Sequence, residues 1–415
     1  MSILNVTEKI LVDNSIVNSE IHTHQPYTTR FGNNDEIRIP IQEDMCTLPS
    51  ESYLYVEGKL RREDGTASTN AKFVNNGVAF LFSEIRYELN GVLIDSTTRV
   101  GLTSTMKGLL SYAPADNVRS QNFGWFPTSD VKITNALGQF NVCIPLRTIL
   151  GFAEDYNKVR YSILVFRFYN ITFQIILNMR QELVLIRSST DVNSVVSPDD
   201  EAIKIDIQKL YWKVPHIQAG LSEELALTKY IDKNIDTQLA FRSWEIHIYP
   251  ALSSTDKHSW AIKTATSLET PRYVILGFQT ARENDIKKDM SKFDHCNITN
   301  VRVYLNTQRY PYDNINIDFN SNRFAILYEM YARFQKSYYG KQSEPLLSPQ
   351  EFKNQSPLIV IDCSNQKDHL TTKSVVLRVE FETSVNLSND TIAYCLILND
   401  KIFNYSPLTK SVRQM

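Results

Sequence analysis

The chain has 415 residues, 42% apolar and 22% charged, with 44 Lys and Arg balancing 46 Asp and Glu. That composition excludes a disordered chain and argues against unaided nucleic-acid binding, which needs a concentrated basic surface. No stretch approaches the roughly 18 apolar residues of a membrane span, and a chain of this length usually divides into more than one hydrophobic core.

From Met1 to about Arg30 the residues are polar and show no sustained period, so residues 1–30 are expected to be an arm that orders only against a partner or the protein's own surface. The opening Met1-Ser2-Ile3-Leu4-Asn5 lacks a basic region followed by an apolar one, and no signal peptide is expected. Strands then begin. Ile37, Ile39 and Ile41 alternate with Arg38, Pro40 and Gln42, and the proline marks an edge strand or a strand end. Leu54, Val56 and Leu60 alternate with Tyr55, Glu57 and Lys59. Leu102, Met106, Leu109 and Leu110 recur at helical spacing. Asn141 to Leu146 reads as a strand, and the apolar stretch from Ser162 to Leu177 as one long strand or two.

Between Ser188 and Glu201 the composition shifts to turn chemistry, and the boundary between two domains, residues 31–195 and 196–415, is placed there. Strands resume at Ile203 to Val214. Trp244, Ile246 and Ile248 alternate with polar residues, and Pro271 to Phe278 is continuous enough to be buried on both faces. Phe324, Leu327, Tyr331, Phe334 and Tyr338 form one helical stripe, with Ser321 or Asn322 as cap and Gly340 as stop. Later strands are Leu358 to Ile361, Val375 to Phe381 and Ala393 to Leu398. In the middle one Val375, Leu377, Val379 and Phe381 face inward.

A short motif occurs twice. Ile85-Arg86-Tyr87-Glu88-Leu89-Asn90 returns 216 positions later as Val301-Arg302-Val303-Tyr304-Leu305-Asn306. Each copy alternates as a half-buried strand, closes on a turn-forming asparagine, follows a turn signal and precedes a segment of helical spacing. Two copies of one domain account for this. The fold class is all-β: two tandem antiparallel sandwiches of jelly-roll or Greek-key type, with one or two short helices in each half.

The chemistry-bearing residues form no catalytic signature. There is no phosphate-binding glycine loop, C-x-x-C pair, H-E-x-x-H or G-x-S-x-G. His22-Thr23-His24 could offer two imidazoles from one side of a strand, but no third ligand lies nearby in the chain. Asp294-His295-Cys296 offers a nucleophile and a base, yet adjacent residues point apart. Asp362-Cys363 and Asp368-His369 read as structural, and His216, His247 and His258 have no visible companions. No catalytic, cofactor-binding or metal-binding residue is assigned, and no cofactor and no enzyme activity are expected. The five cysteines, Cys46, Cys143, Cys296, Cys363 and Cys395, are odd in number and scattered, as buried free thiols in a reducing compartment would be. The sequons at Asn170 and Asn389 are then coincidental. The rings of Tyr310-Pro311-Tyr312 and of the segment Phe324 to Tyr339 exceed what one core stripe requires, which points either to a core with tyrosine hydroxyls at its rim or to a subunit interface.

Several stretches resemble the major capsid proteins of the double-jelly-roll type, most nearly those of Polinton/Maverick elements and adintovirus-like DNA viruses. They are Phe80 to Gly91, Ile144-Pro145-Leu146 to Asp155, Pro271 to Thr280, Phe293 to Asp313, Tyr328 to Phe334, Val360 to Ser364 and Ala393 to Leu398. The resemblance implies two jelly rolls per chain, a homotrimer forming a pseudo-hexagonal capsomer, and capsomers tiling an icosahedral virion shell. It implies neighbouring capsomers, a penton protein and minor capsid proteins as partners, synthesis in the host cytoplasm, and no active-site residues. On this reading the aromatic helix and the Tyr310-Pro311-Tyr312 loop are expected at trimer contacts, and the arm braces neighbouring capsomers or faces inward. A carbohydrate-binding sandwich, a β-rich hydrolase and a host-retained viral gene product are the rival readings.

Overall fold

The computed structural model describes residues 15–42, 46–68, 70–128, 131–154, 175–199, 201–249, 252–263, 270–364 and 376–415. The stretch expected as strand over 162–174, together with Asn170, Val375 and Asp368-His369, lies outside them. The first half runs β1 (Ile16–His24), β2 (Glu36–Ile41), β3 (Cys46–Thr47), β4 (Tyr53–Arg62), β5 (Lys72–Phe73), β6 (Phe82–Leu89), β7 (Val92–Thr98), α1 (Val100–Ser111), α2 (Asn117–Ser120), β8 (Gln139–Pro145), β9 (Ile176–Leu177), β10 (Gln181–Arg187), β11 (Val195–Val196) and β12 (Ile203–Ala219). The second runs α3 (Leu221–Asp232), β13 (Thr237–Tyr249), β14 (Lys257–Lys263), β15 (Thr270–Thr280), β16 (Ile298–Leu305), β17 (Gln308–Tyr310), α4 (Ala325–Tyr339), α5 (Pro349–Gln355), β18 (Ile359–Asp362), β19 (Val376–Thr383), β20 (Thr391–Tyr405) and β21 (Val412–Gln414).

Each half is built on two facing sheets with the same connectivity. In the first, β1-β12-β4-β8 pair in one sheet and β2-β10-β6-β7 in the other. In the second, the orders are β13-β20-β15-β18 and β14-β19-β16-β17. Numbering the frame strands one to eight along either half, both pair as 1-8-3-6 and 2-7-4-5, the winding of a jelly roll. The repeated motif falls on β6 and β16, the fourth frame strand of each. Ile85, Tyr87 and Leu89 enter one core, and Val301, Val303 and Leu305 the other. The repeated arginine faces out and pairs with a glutamate in both: Arg86 with Glu36 at 3.1 Å, Arg302 with Glu382 at 2.9 Å. Both closing asparagines adopt positive φ, 48° at Asn90 and 55° at Asn306. Each donates its backbone N–H to the start of the neighbouring strand, Asn90 to Arg180 O just before β10 at 2.8 Å and Asn306 to Val376 O of β19 at 2.9 Å.

The alternating strands behave as their spacing requires. Ile37, Ile39 and Ile41 are buried on β2, whose one strand neighbour among the described residues is β10, so Pro40 sits on the edge of that sheet, where its missing N–H costs nothing. Leu377, Val379 and Phe381 face the core from β19. β15 is buried on both faces because α4 covers its outer side: Tyr273 meets Phe334 at 5.2 Å and Tyr338 at 5.5 Å between ring centroids.

Three expectations need correction. The domain boundary does not lie at residue 195. β12 follows the turn chemistry of residues 188–201 but pairs along β4, from Ile203 opposite Arg62 to Lys213 opposite Tyr53, and completes the first sandwich. The presumed joint is the turn leading into that strand, and it is pinned rather than loose. Buried Arg187 donates to Leu81 O at 2.6 Å and to Asp191 Oδ1 at 2.8 Å, and Asp191 Oδ2 accepts Ile205 N–H at 2.8 Å. The crossing to the second sandwich is made instead by Gly220 and α3. Part of the expected arm is a frame strand: β1 lies antiparallel on β12, from Ile16 opposite Ala219 to His24 opposite Trp212. Finally, α4 starts without a side-chain cap. Ser321 and Asn322 are used elsewhere: Ser321 N–H donates to Asp318 Oδ1, and Asn322 Oδ1 accepts from Lys353 Nζ. Gly340 does stop the helix, at φ 64°.

Candidate functional site: the seam and the open faces

The residues that combine most chemistry lie where the two sandwiches meet. α1 and α4 follow the fifth frame strand of their respective halves, and they pack on each other. Lys107, from the middle of α1, is 2% exposed. Its Nζ donates to Glu154 Oε1 at 2.8 Å, Glu154 Oε2 at 3.1 Å, Ser111 Oγ at 2.9 Å and the Tyr339 hydroxyl at 2.8 Å. It also lies over the rings of Tyr338 and Trp244, 4.4 and 4.9 Å from their centroids. Glu154 in turn accepts from the Tyr338 hydroxyl at 2.7 Å and from the Tyr339 hydroxyl. Burial pushes the lysine ammonium down, against the pull of the Glu154 carboxylate, and raises both phenols well above their ordinary range. A charge pair this deep is tolerable only because each member is saturated with partners.

Around this knot the seam is apolar and close. Phe152 stacks on Tyr87 of the first sandwich at 4.4 Å and meets Phe241 of the second edge-on at 5.4 Å. Gly151 lets the backbone of that turn touch Arg242: a Cβ there would collide with the Arg242 carbonyl. Tyr331 donates to Leu109 O at 3.0 Å and Gln335 Nε2 to Tyr112 O at 2.9 Å, so α4 caps the carbonyl end of α1. Arg99 pairs with Glu283 at 2.6 Å, and Lys410 Nζ reaches Asn178 O at 2.7 Å. One continuous hydrophobic cluster takes in both halves.

The stripe Leu327, Tyr331, Phe334 and Tyr338 therefore faces inward, toward the same chain, and the helix rings beyond it are used there too, Tyr328 on Leu347 O and Tyr339 on Glu154. What α4 presents outward is Ile326, Glu329, Arg333 and Lys336. Of the Tyr310-Pro311-Tyr312 loop, Tyr310 is half-buried and Tyr312 is 88% exposed. Sequence reading missed Lys107 and Glu154. The signal was there: Lys107 is the one charge in an otherwise apolar and small-residue helix.

Asp294, His295 and Cys296 do meet around one cleft, of about 490 Å³, with Thr280, Arg282 and Lys353. Their chemistry is already spent. Asp294 holds Arg282 through both carboxylate oxygens and accepts Thr280 N–H at 2.9 Å. His295 stacks on Phe319 at 4.6 Å, and its Nδ1 accepts Asn297 N–H at 3.0 Å. Burial pushes the Cys296 thiol up to about 11, leaving it protonated at neutral pH. Cys363 is fully buried in the core, as its place at a strand end implies. All five cysteines are free thiols. No described helix is long and apolar enough to cross a membrane.

The same architecture is found in solved structures. The chain superposes on a quasi-atomic model of the PBCV-1 virus capsid with a TM-score of 0.59 and 10% identity, covering 98% of each chain. For the mavirus major capsid protein the values are 0.56 and 13%, with 100% of this chain and 93% of that one covered. For the Faustovirus major capsid protein they are 0.57 and 10%, with 97% and 92% covered. No curated protein is similar enough in sequence to register as a relative. The double jelly roll-like domain matches residues 71–403, most of both sandwiches. With a frame that winds identically in each half, the chain belongs to the double jelly roll-like domain family.

Proposed function

We propose that this chain is the major structural protein of a DNA virus shell. Three copies associate into a pseudo-hexagonal capsomer, and capsomers tile an icosahedral capsid. The observation that carries this reading is the duplicated frame locked by the seam. Two sandwiches of one winding, held rigidly in one chain, let three chains supply six like walls with only threefold symmetry. Solved structures that share the frame are described as virus capsids and major capsid proteins. The near-neutral net charge of −2 suits a shell that leaves genome condensation to other components.

Because the ring-bearing face of α4 is consumed within the chain, contacts between chains fall to other surfaces. Tyr312 before α4, Ile326 on α4 and Val118 on α2 are exposed large apolar residues, and they are the anchors we assign to the trimer. Interfaces of this obligate kind bury on the order of 2,000–5,000 Å². Polinton/Maverick or adintovirus-like elements are the kind of source the resemblance favours, with a penton protein and minor capsid proteins as further partners in the virion. Sedimentation of the purified protein tests the reading. A species near 143 kDa, three times 47.8 kDa, is expected, and a strict monomer at micromolar concentration overturns it.

A further inference from the structure

The two halves share a hairpin as well as a winding. β6 turns into β7 through Asn90-Gly91, which sets Leu89 opposite Val92 and Glu88 opposite Leu93. β16 turns into β17 through Asn306-Thr307, which sets Leu305 opposite Gln308 and Tyr304 opposite Arg309. Turn length and register at the turn are the same, so β17 is the counterpart of β7. β1 is likewise the counterpart of β13. Each opens its half, ends its sheet among the described residues and pairs with the eighth frame strand, β12 in one case and β20 in the other.

Within the chain β7 packs against β13, and the seam forms around that contact. Ile94, Asp95 and Thr97 of β7 are buried, and Gln238 is the one exposed residue of β13. Their counterparts are bare. Every residue of β1 from Ile16 to Thr23 is exposed, and Ile16, Val17 and Ile21 are each more than half so. β17 opens on exposed Gln308 and leads to exposed Tyr312 and Asp313. β1 is also long for an edge and carries no lysine and no proline, the residues that usually keep such a strand from joining another chain.

We infer that β17 and the Tyr310-Pro311-Tyr312 loop of one copy seat on β1 of the next copy, repeating between chains the contact that β7 makes with β13 within the chain. The inference rests on the trimer proposed above and names the surfaces that build it. Each sandwich then meets its successor in one way, the first meeting the second through the seam and the second meeting the next chain's first through its counterpart. Such a contact joins two different patches, and it closes into a ring when every step repeats the same rotation. Ile16, Val17 and Ile21 supply an apolar floor for Tyr312, a residue type favoured as an interface anchor. A contact of β1 with β1 would cover that strand but leave Tyr312 bare and stop at a dimer.

Photocross-linking of the full chain with a benzophenone side chain at position 312 tests the pairing. In a mixture of isotope-labelled and unlabelled chains, the cross-links are expected to join position 312 of one chain to residues 16–24 of another. Ile21→Glu, at an exposed position, should keep the monomer folded and weaken trimer association about thirtyfold, the loss of one buried anchor. Leu137→Glu, just before β8 at the far end of the same sheet, should leave association unchanged. A trimer whose cross-links fall elsewhere, or equal effects of the two substitutions, overturns this pairing and leaves the trimer standing. A monomer overturns both.

Discussion

α1 and α4 occupy the same place in their two sandwiches and are built in opposite ways. Every residue of α1 from Val100 to Leu110 is buried, polar ones included, whereas α4 buries one face and shows the other to solvent. A helix hydrophobic on one side only needs one neighbour. α1 has neighbours all round: Phe80 against Gly101, Trp125 against Gly108, and α4 over its carbonyl end. Its polar residues are satisfied locally, Thr103 Oγ1 on Thr98 O at 2.8 Å and Ser104 Oγ on Val100 O at 2.6 Å. The duplication is thus symmetric in winding and asymmetric in dependence. The first sandwich uses the second as its lid.

The sharpest way to break that dependence is to push the halves apart. Gly151→Val should be the most damaging change, beyond about 4 kcal/mol, because the new side chain meets Arg242 backbone, and urea unfolding would read it. Next comes the knot. Glu154→Leu alone strands a buried ammonium and should cost about 3–5 kcal/mol, while Lys107→Met with Glu154→Leu should recover much of that loss. If the double variant is as unstable as the single, the knot is not an ion pair in the sense described. Tyr338→Phe removes one hydrogen bond to the carboxylate and should cost about 1.5–3 kcal/mol. Ile326→Ser, on the outer face of the same helix, should change monomer stability by no more than about 0.5 kcal/mol while weakening trimer association. The smallest effect is chemical. Alkylation of Cys296 should be slow at pH 7 and rise about tenfold per pH unit until the thiol ionises near 11.

What could be read from the sequence was whatever depends on near neighbours. The period of two in Ile37-Ile39-Ile41 and Leu377-Val379-Phe381, the period of 3.6 in α4, and the echo of β6 in β16 all hold in the fold. What could not be read depends on pairing across the chain. Ile203 to Val214 is a plain strand, and nothing local says that it lies against Tyr53–Arg62 rather than in the second sandwich. Ser, Asp and Pro near residue 198 serve a tight turn as well as they serve a linker, so composition could not tell the two apart. His216 is likewise 192 positions from His24, and only the β1–β12 register reveals that they touch. The aromatic excess was real, but a surface within the chain and a surface between chains ask for the same residues.

Glu154 precedes Tyr338 and Tyr339 by nearly half the chain, which matters while the protein is being made. Once β12 has left the ribosome, the first sandwich has every strand of its frame, yet its buried ammonium and carboxylate still lack the phenols that complete them. At cellular elongation rates that interval is on the order of ten seconds. Through it the nascent half must remain open at α1 or be shielded by a chaperone, and a truncated transcript ending near residue 220 should yield a sticky product rather than a soluble half.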